Sequence, residues 1–388
     1  MNSRTSAGKR FRIVIYPVIA LALTLSVGSS VSAGSLTREA PRIVWDKDVE
    51  LPLESVFEHD EHEILAASLQ NDKITVNSIN AGGIKKEKVS FPKYNIAYLV
   101  SFHHSQEGGY IAVGGNEILK VNEQGVKEWA YTLSLPSTYL VSVDQLADGS
   151  YIVAGTTPGA QGQGWDPILL KLSGSGTVIW QKTQSKPTED SVTLVRHTED
   201  GGFVLLGEES YAGSGVSKIS MAKFTSTNKL EWEKSLVPSA VSDNLWNTAL
   251  VQDKDGGYVI TGFFNHPNPV NSIRNLTTGY ILKTDAQGSL MWSHPLESTL
   301  DRSYANDVQL ATGGGYIITG KANEDWHGTI SKEFVQRLNN SGMVLWTKVI
   351  ERTTENVNSG IVVNSSEEGY LVIGSADSEV KATRLNPQ

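Results

Sequence analysis

One repeated phrase limits what this chain can become. Gly108-Gly109-Tyr110 runs through Ile111 and Val113 to Gly114. It returns from Gly149-Ser150-Tyr151 to Gly155, from Gly201-Gly202-Phe203 to Gly207 and from Gly256-Gly257-Tyr258 to Gly262. Gly314-Gly315-Tyr316 to Gly320 and Gly369-Tyr370 to Gly374 follow, and Ile64-Leu65-Ala66 is a degenerate first copy. From Tyr110 to Tyr370 the aromatic positions stand 41, 52, 55, 58 and 54 residues apart. Glycine tolerates the positive φ of a hairpin turn, and the aromatic and β-branched run after it favours a strand. An apolar column eight residues upstream (Val56, Phe102, Val143, Val195, Leu250, Val308, Val362) predicts a partner strand before each turn.

A second phrase follows each copy. Lys120-Val121 leads through Gly125 to Trp129, and Lys171-Leu172 through Gly176 to Trp180. Lys223-Phe224 leads to Trp232, Lys283 through Gly288 to Trp292, and Arg337-Leu338 through Gly342 to Trp346. This reads as a second hairpin, so each unit holds four short strands, and no segment keeps a helical period. A lone four-stranded sheet cannot bury both faces. Sheets packed around an axis can, and repeats of this length predict an all-β, seven-bladed β-propeller of four-stranded antiparallel blades.

The final unit ends at Lys381-Ala382-Thr383-Arg384-Leu385-Asn386, short of a tryptophan strand. Ile43-Val44-Trp45-Asp46-Lys47 matches the missing strand, so the ring is expected to close through the amino-terminal strand near 42–47. The first unit is the weak one, with Ile64 for the aromatic and Glu87 expected at the tryptophan position. These phrases resemble those of secreted bacterial β-propeller repeat proteins. They are similar, more loosely, to quinoprotein-like propellers, in which an Asp…Thr-Gly…Trp motif closes each blade. Asp285…Gly288…Trp292 is the nearest match here and lacks the threonine. The resemblance covers residues 40–388 and implies a fold, since propellers host many activities.

Residues 1–33 read as a signal peptide. Arg4, Lys9, Arg10 and Arg12 precede an apolar run from Ile13 to Val27, and Val31-Ser32-Ala33 supplies the small residues of a cleavage site. Tyr16 and Pro17 interrupt the run, which is short for a membrane span. Residues 34–388 form the expected single domain, with no later membrane span, in a secreted or extracytoplasmic protein. Losing four cations takes the net charge from −9 to −13, a poor match to nucleic acid. With no cysteine there are no disulfides, thiol nucleophiles or Cys-ligated metals. His59-Asp60-Glu61-His62-Glu63 lacks metalloprotease spacing and reads as an exposed polar hairpin, as does His103-His104. No metal, cofactor or catalytic residue is assigned, and a monomer is expected.

Six of nine tryptophans belong to the repeat column, and Trp165, Trp246 and Trp326 do not. Those three are expected in loops on one end of the disc, the end where the stretches 156–167, 208–220, 263–278 and 321–333 are long. Long variable loops on a rigid scaffold carry function, and exposed aromatics stack on sugars or anchor protein partners. Trp165, Asp166, Trp246, Arg274, Arg302, Tyr304, Trp326 and His327 are therefore the candidate binding residues, with Asp307 and Asp325 as further acids. Three roles stay open: a non-catalytic module binding an extracellular glycan or protein, an enzyme acting on a polysaccharide or glycoside through acids on that face, and a structural envelope protein. Amino-terminal sequencing of exported material is expected to start at Gly34. An intact start in a membrane-embedded product would contradict export by cleavage.

Overall fold

The computed structural model describes residues 39–386 except 53–55, 60–63, 160–163, 186–187, 211–216, 239–243, 268–274, 297–301, 324–330, 355–357, 366–368 and 377–378. The expected signal peptide lies outside the described residues. Within them the chain forms 28 strands, numbered β1–β28 in chain order, and no helix.

Consecutive strands pair as antiparallel hairpins in groups of four. The first groups are β2–β5 (Val56–His59, Ile64–Gln70, Lys73–Ile79, Lys85–Pro92) and β6–β9 (Ser101–His104, Tyr110–Gly114, Glu117–Val121, Lys127–Thr132). Next come β10–β13 (Tyr139–Gln145, Tyr151–Pro158, Trp165–Leu172, Val178–Thr183) and β14–β17 (Glu189–His197, Phe203–Ser210, Ser217–Phe224, Leu230–Leu236). Then follow β18–β21 (Leu245–Gln252, Tyr258–Pro267, Asn275–Thr284, Leu290–Pro295) and β22–β25 (Arg302–Leu310, Tyr316–Asn323, Ser331–Leu338, Val344–Thr354). A single parallel bridge, Thr277 to Arg302, joins these two. The last strands, β26–β28 (Asn358–Ser365, Gly369–Ala376, Glu379–Leu385), take β1 (Ile43–Asp48) as their fourth neighbour, with Trp45 opposite Arg384. The first strands touch in succession, β2 to β6, β10, β14, β18, β22 and β26, and β26 touches β2. The fold is all-β and propeller-like.

Burial follows position within a group. Second and third strands are buried along most of their length, whereas fourth strands such as β9 and β13 are largely exposed and carry lysine and glutamate. Charged side chains on these outer edges discourage sheet-to-sheet aggregation.

The two sequence phrases meet in two ways. Inside a group, the repeat cation stands opposite the column tryptophan: Lys120 and Trp129, Lys171 and Trp180, Lys223 and Trp232, Lys283 and Trp292, Arg337 and Trp346. Each cation is buried and turns back to the first hairpin. Lys171 Nζ donates to Asp148 at 2.9 Å, Lys223 Nζ to Asp200 at 3.0 Å, and Lys120 Nζ to the Gly108 carbonyl at 3.0 Å. The Asp-Gly turn and the Lys-Leu strand therefore occur together because one ties down the other. A buried ammonium without such partners would be strongly destabilising.

Between groups, each tryptophan packs on the next unit's aromatic. Ring centroids are 5.8 Å apart for Trp129 and Tyr151, 6.3 Å for Trp180 and Phe203, and 5.9 Å for Trp232 and Tyr258. They are 6.0 Å for Trp292 and Tyr316 and 5.5 Å for Trp346 and Tyr370. The same indoles cover turn glycines of the next group. A Cβ on Gly176 would lie 2.4 Å from Trp129, and one on Gly288 2.6 Å from Trp232. Gly83 stands in the same relation to Trp45, at 2.4 Å.

Three expectations change. In the first unit no indole covers the next turn: a Cβ on Gly125 would meet Val89 at 2.8 Å and Phe91 at 3.0 Å, and Glu87 stands opposite Asn77. The first-strand apolar position is Phe57 rather than Val56, because Phe57 pairs with Ala66 as Phe102 pairs with Ala112. The first turn is one residue shorter, since His59 faces Ile64 whereas His104 faces Tyr110. Finally, the long loops contract. Strands run past the repeat glycines, so Trp165, Asp166, Trp246, Arg302 and Tyr304 all stand in strands. Their β-branched and aromatic neighbours, such as Phe263, Phe264 and Thr277, prolong the pairing.

Gly288→Ala is expected to cost about 1–3 kcal/mol of overpacking against Trp232, beyond the roughly 1–2 kcal/mol that a side chain incurs at positive φ. Gly201→Ala, also at positive φ but with nothing within 4 Å of the added carbon, should incur the backbone cost alone. Urea unfolding of both variants checks this; equal losses would contradict the docking role.

Candidate functional site

The first strands surround a cavity of about 730 Å³. Its wall carries a polar set from several groups, including His103, Asp144, Arg196, His197, Gln252 and Asp307. Most of these stand at one end of their strands, because the apolar column points into the sheet interfaces and the alternate residues face the axis.

Asp144 is the organising group. It is 3% exposed on β10. One carboxylate oxygen accepts from the His197 backbone N–H at 2.8 Å and lies 3.0 Å from His197 Nδ1, on β14. The other accepts from the Gln145 N–H at 2.8 Å and lies 3.8 Å from His103 Nε2, on β6. One carboxylate thus bridges three neighbouring first strands. Burial alone would raise its pKa. The hydrogen bond from His197 and the charges of His103, His197 and Arg196 outweigh burial and hold it at about 2. The same hydrogen bond raises His197 above its ordinary value, against the effect of its own partial burial.

His103-His104, read from sequence as an exposed hairpin, divides its roles: His103 faces Asp144 and lines the cavity, while His104 Nε2 lies 3.0 Å from Glu123 and its ring packs on Tyr110. The signal was present. His103, Asp144 and Arg196 each stand seven residues before the repeat aromatic, immediately after the apolar column. Among the described residues no three His, Asp or Glu side chains are grouped to hold a metal ion.

At the opposite strand ends lies an aromatic shelf. Trp246, the second residue of β18, is 40% exposed and stacks on its cross-strand partner Phe263 at 5.2 Å and 24°. Phe263 meets Tyr304 of the adjacent group edge-on at 4.9 Å. Lys321, opposite Tyr304, holds its ammonium 5.2 Å from the centre of that ring. These offset and edge-on contacts are preferred by the ring quadrupoles, and the lysine adds a cation–π contact.

The sequence candidates therefore separate. Trp246 and Tyr304 are brought together through Phe263, and Arg302 stands two residues before Tyr304 on the same strand, with Nη2 3.5 Å from the Asn275 carbonyl. Trp165, also 40% exposed, sits in another group and packs with Tyr139 at 6.0 Å. Asp166 is 1% exposed, so its position in β12 turns it away from solvent. Arg274, Trp326 and His327 lie outside the described residues, as do Asp325 and residues 60–63 of the His59–Glu63 run. Sequence reading missed Phe263, Lys321 and Tyr139, because their contacts with Trp246, Tyr304 and Trp165 depend on cross-strand register.

No family model matches the sequence, and no curated protein does. Solved structures match in fold. BBS1N, from a crystal structure in complex with ARL6DN, has a TM-score of 0.52 at 10% identity, covering 90% of this chain and 98% of that one. A chain of the Mitotic Checkpoint Complex gives 0.50 at 10%, covering 96% and 100%. A protein of unknown function from Bacteroides caccae gives 0.48 at 10%, covering 75% and 94%. At such identity the likeness is one of fold alone.

The Asp144–His197 contact generates a pH dependence. A histidine with a raised pKa contributes stability that is complete below its unfolded value of about 6.5 and lost as pH rises through its folded value. The Asp144 contribution is present above about 4 and fades only as pH falls toward the folded value of about 2. His197→Ala is thus expected to lower the melting temperature more near pH 5 than near pH 9. The difference should be about 1 kcal/mol or less, because the imidazole is partly exposed and screened. Equal losses at both pH values would contradict the assignment.

Proposed function

We propose that this protein is an exported, non-catalytic binding module: a seven-bladed propeller closed by β1, whose shelf end takes a carbohydrate. The carrying observation is the exposed face of Trp246, braced by Phe263 and Tyr304. A pyranose ring offers an apolar face of C–H groups, and a rigid indole with one open face suits it while losing little side-chain entropy. The Trp165–Tyr139 pair supplies a second exposed aromatic surface.

Support for the ring comes from the cyclic contact of the first strands, the pairing of β1 with β28, and Trp45 seated on Gly83. Support for export comes from the charged, apolar and small-residue order of residues 1–33.

Glycan-array binding by the exported protein and its variants tests the reading. Trp246→Ala should weaken glycan binding by about 2 kcal/mol, a hot-spot magnitude, with little change in melting temperature. Trp180→Ala should instead cost roughly 3–5 kcal/mol of stability. If Trp246→Ala destabilises as much as Trp180→Ala, Trp246 is a packing residue and the binding reading loses its main support.

A further inference from the structure

We infer that Trp165 and Trp246 are two subsites for one extended, β-1,4-linked glycan chain that crosses the β14–β17 group between them. This rests on the carbohydrate reading above and adds the ligand's length and linkage.

The two indoles stand at the same strand ends. β10, β14 and β18 are successive first strands, and Tyr139, Glu189 and Leu245 begin them. Trp165 begins β12, which runs in the direction of β10 because β11 lies antiparallel between them. Tyr139 is 48% exposed, and Trp165 and Trp246 are each 40% exposed. The group between is tied to both surfaces. The Val192 N–H donates to Thr156 Oγ1 at 3.2 Å, and Thr156 stands opposite Tyr139. A Cβ on Gly164, the residue before Trp165, would lie 2.1 Å from the Glu189 side chain. On the other side, Glu208 accepts from the Ser191 hydroxyl at 2.7 Å and from the N–H of Asn247, next to Trp246, at 2.7 Å.

Glu189 and Ser191 are exposed, so the order along this rim is aromatic, polar, aromatic. A row of pyranoses matches it. The end rings lay their C–H faces on the indoles, and the middle rings offer hydroxyls to the Glu189 carboxylate and the Ser191 Oγ. Length decides the ligand class. β10 packs on β14 and β14 on β18, and at about 10 Å per sheet spacing the two surfaces stand roughly 20 Å apart. A disaccharide reaches one surface only, whereas a stretched chain of about four or more rings spans that distance. The β-1,4 linkage holds its rings in such an extended ribbon. Once one indole is occupied, the other meets the same chain at a high effective concentration, so affinity climbs steeply at the bridging length.

The test is calorimetric titration of the exported protein with size ladders of cello-, manno- and chito-oligosaccharides, from about two to eight rings. In at least one ladder, binding should tighten by about tenfold or more between roughly three and six rings and then level off. Trp165→Ala should remove this step while leaving binding of the dimer within about twofold, the statistical factor of one lost subsite. Trp165→Phe, which keeps a ring to pack on Tyr139, should retain a smaller step, and melting curves of both variants separate lost stacking from lost folding. A ladder without a step, a step that survives Trp165→Ala in a folded protein, or ladders that do not bind beside hits on the glycan array would each overturn this inference and leave the carbohydrate reading standing. An array and ladders without any binding would overturn both.

Discussion

The architecture depends on one contact, the seating of a column tryptophan against the aromatic and the turn glycine of the next sheet. Each indole spans the gap between two sheets that make few backbone hydrogen bonds to one another. Trp129 closes this gap by packing on Tyr151, covering Gly176 and donating its Nε1–H to the Gly174 carbonyl at 2.8 Å. Trp232 does the same toward Tyr258, Gly288 and the Ala286 carbonyl at 3.1 Å. Because the indole lies flat on the turn, the glycine must lack a side chain and hold a positive φ. Where Trp180 would require the next such turn, Asn228 holds a φ of 63°, a conformation asparagine tolerates better than most residues. Stability is thus distributed between neighbours, as in other repeat architectures.

That distribution explains where function can sit. The interlock uses the outer strands and the turns at one end, so residues at the axis and at the opposite strand ends are less constrained by packing. Asp144 and its histidines occupy the first region, Trp246 and Tyr304 the second. The first joins β6, β10 and β14 through a buried carboxylate and has the character of a clasp. The second leaves Trp246 40% exposed, which a clasp does not need.

Much of the fold was legible because the repeat is chemical as well as periodic. Gly-Gly-Tyr, Lys-Leu and Trp each name a contact, and cross-strand pairs such as Lys171 with Trp180 follow from their spacing. Errors arose where the repeat decays. A turn one residue shorter shifts Val56 to Phe57, and a bulge two positions earlier in β4 leaves Val89 and Phe91, rather than Glu87, against Gly125. The site was half legible. Trp246 and Tyr304 stood out as departures from the column, but Phe263 and Lys321 became their neighbours only through register, which a sequence without turn geometry does not specify. Asp166 illustrates the converse: a polar residue beside an exposed tryptophan in sequence is on the opposite face of a strand.

If the interlock carries the fold, its critical member is Trp45, held by a strand from the far end of the chain. Deleting residues 41–50 removes the indole that covers Gly83 and uncovers the edge of β28. Thermal unfolding of the truncated protein beside the parent measures this directly. A drop in melting temperature of about 10 °C or more is expected, from the loss of a packed tryptophan and a strand's hydrogen bonds. A truncated protein that melts at the parent's temperature would contradict the interlock as the source of stability and closure by β1 with it.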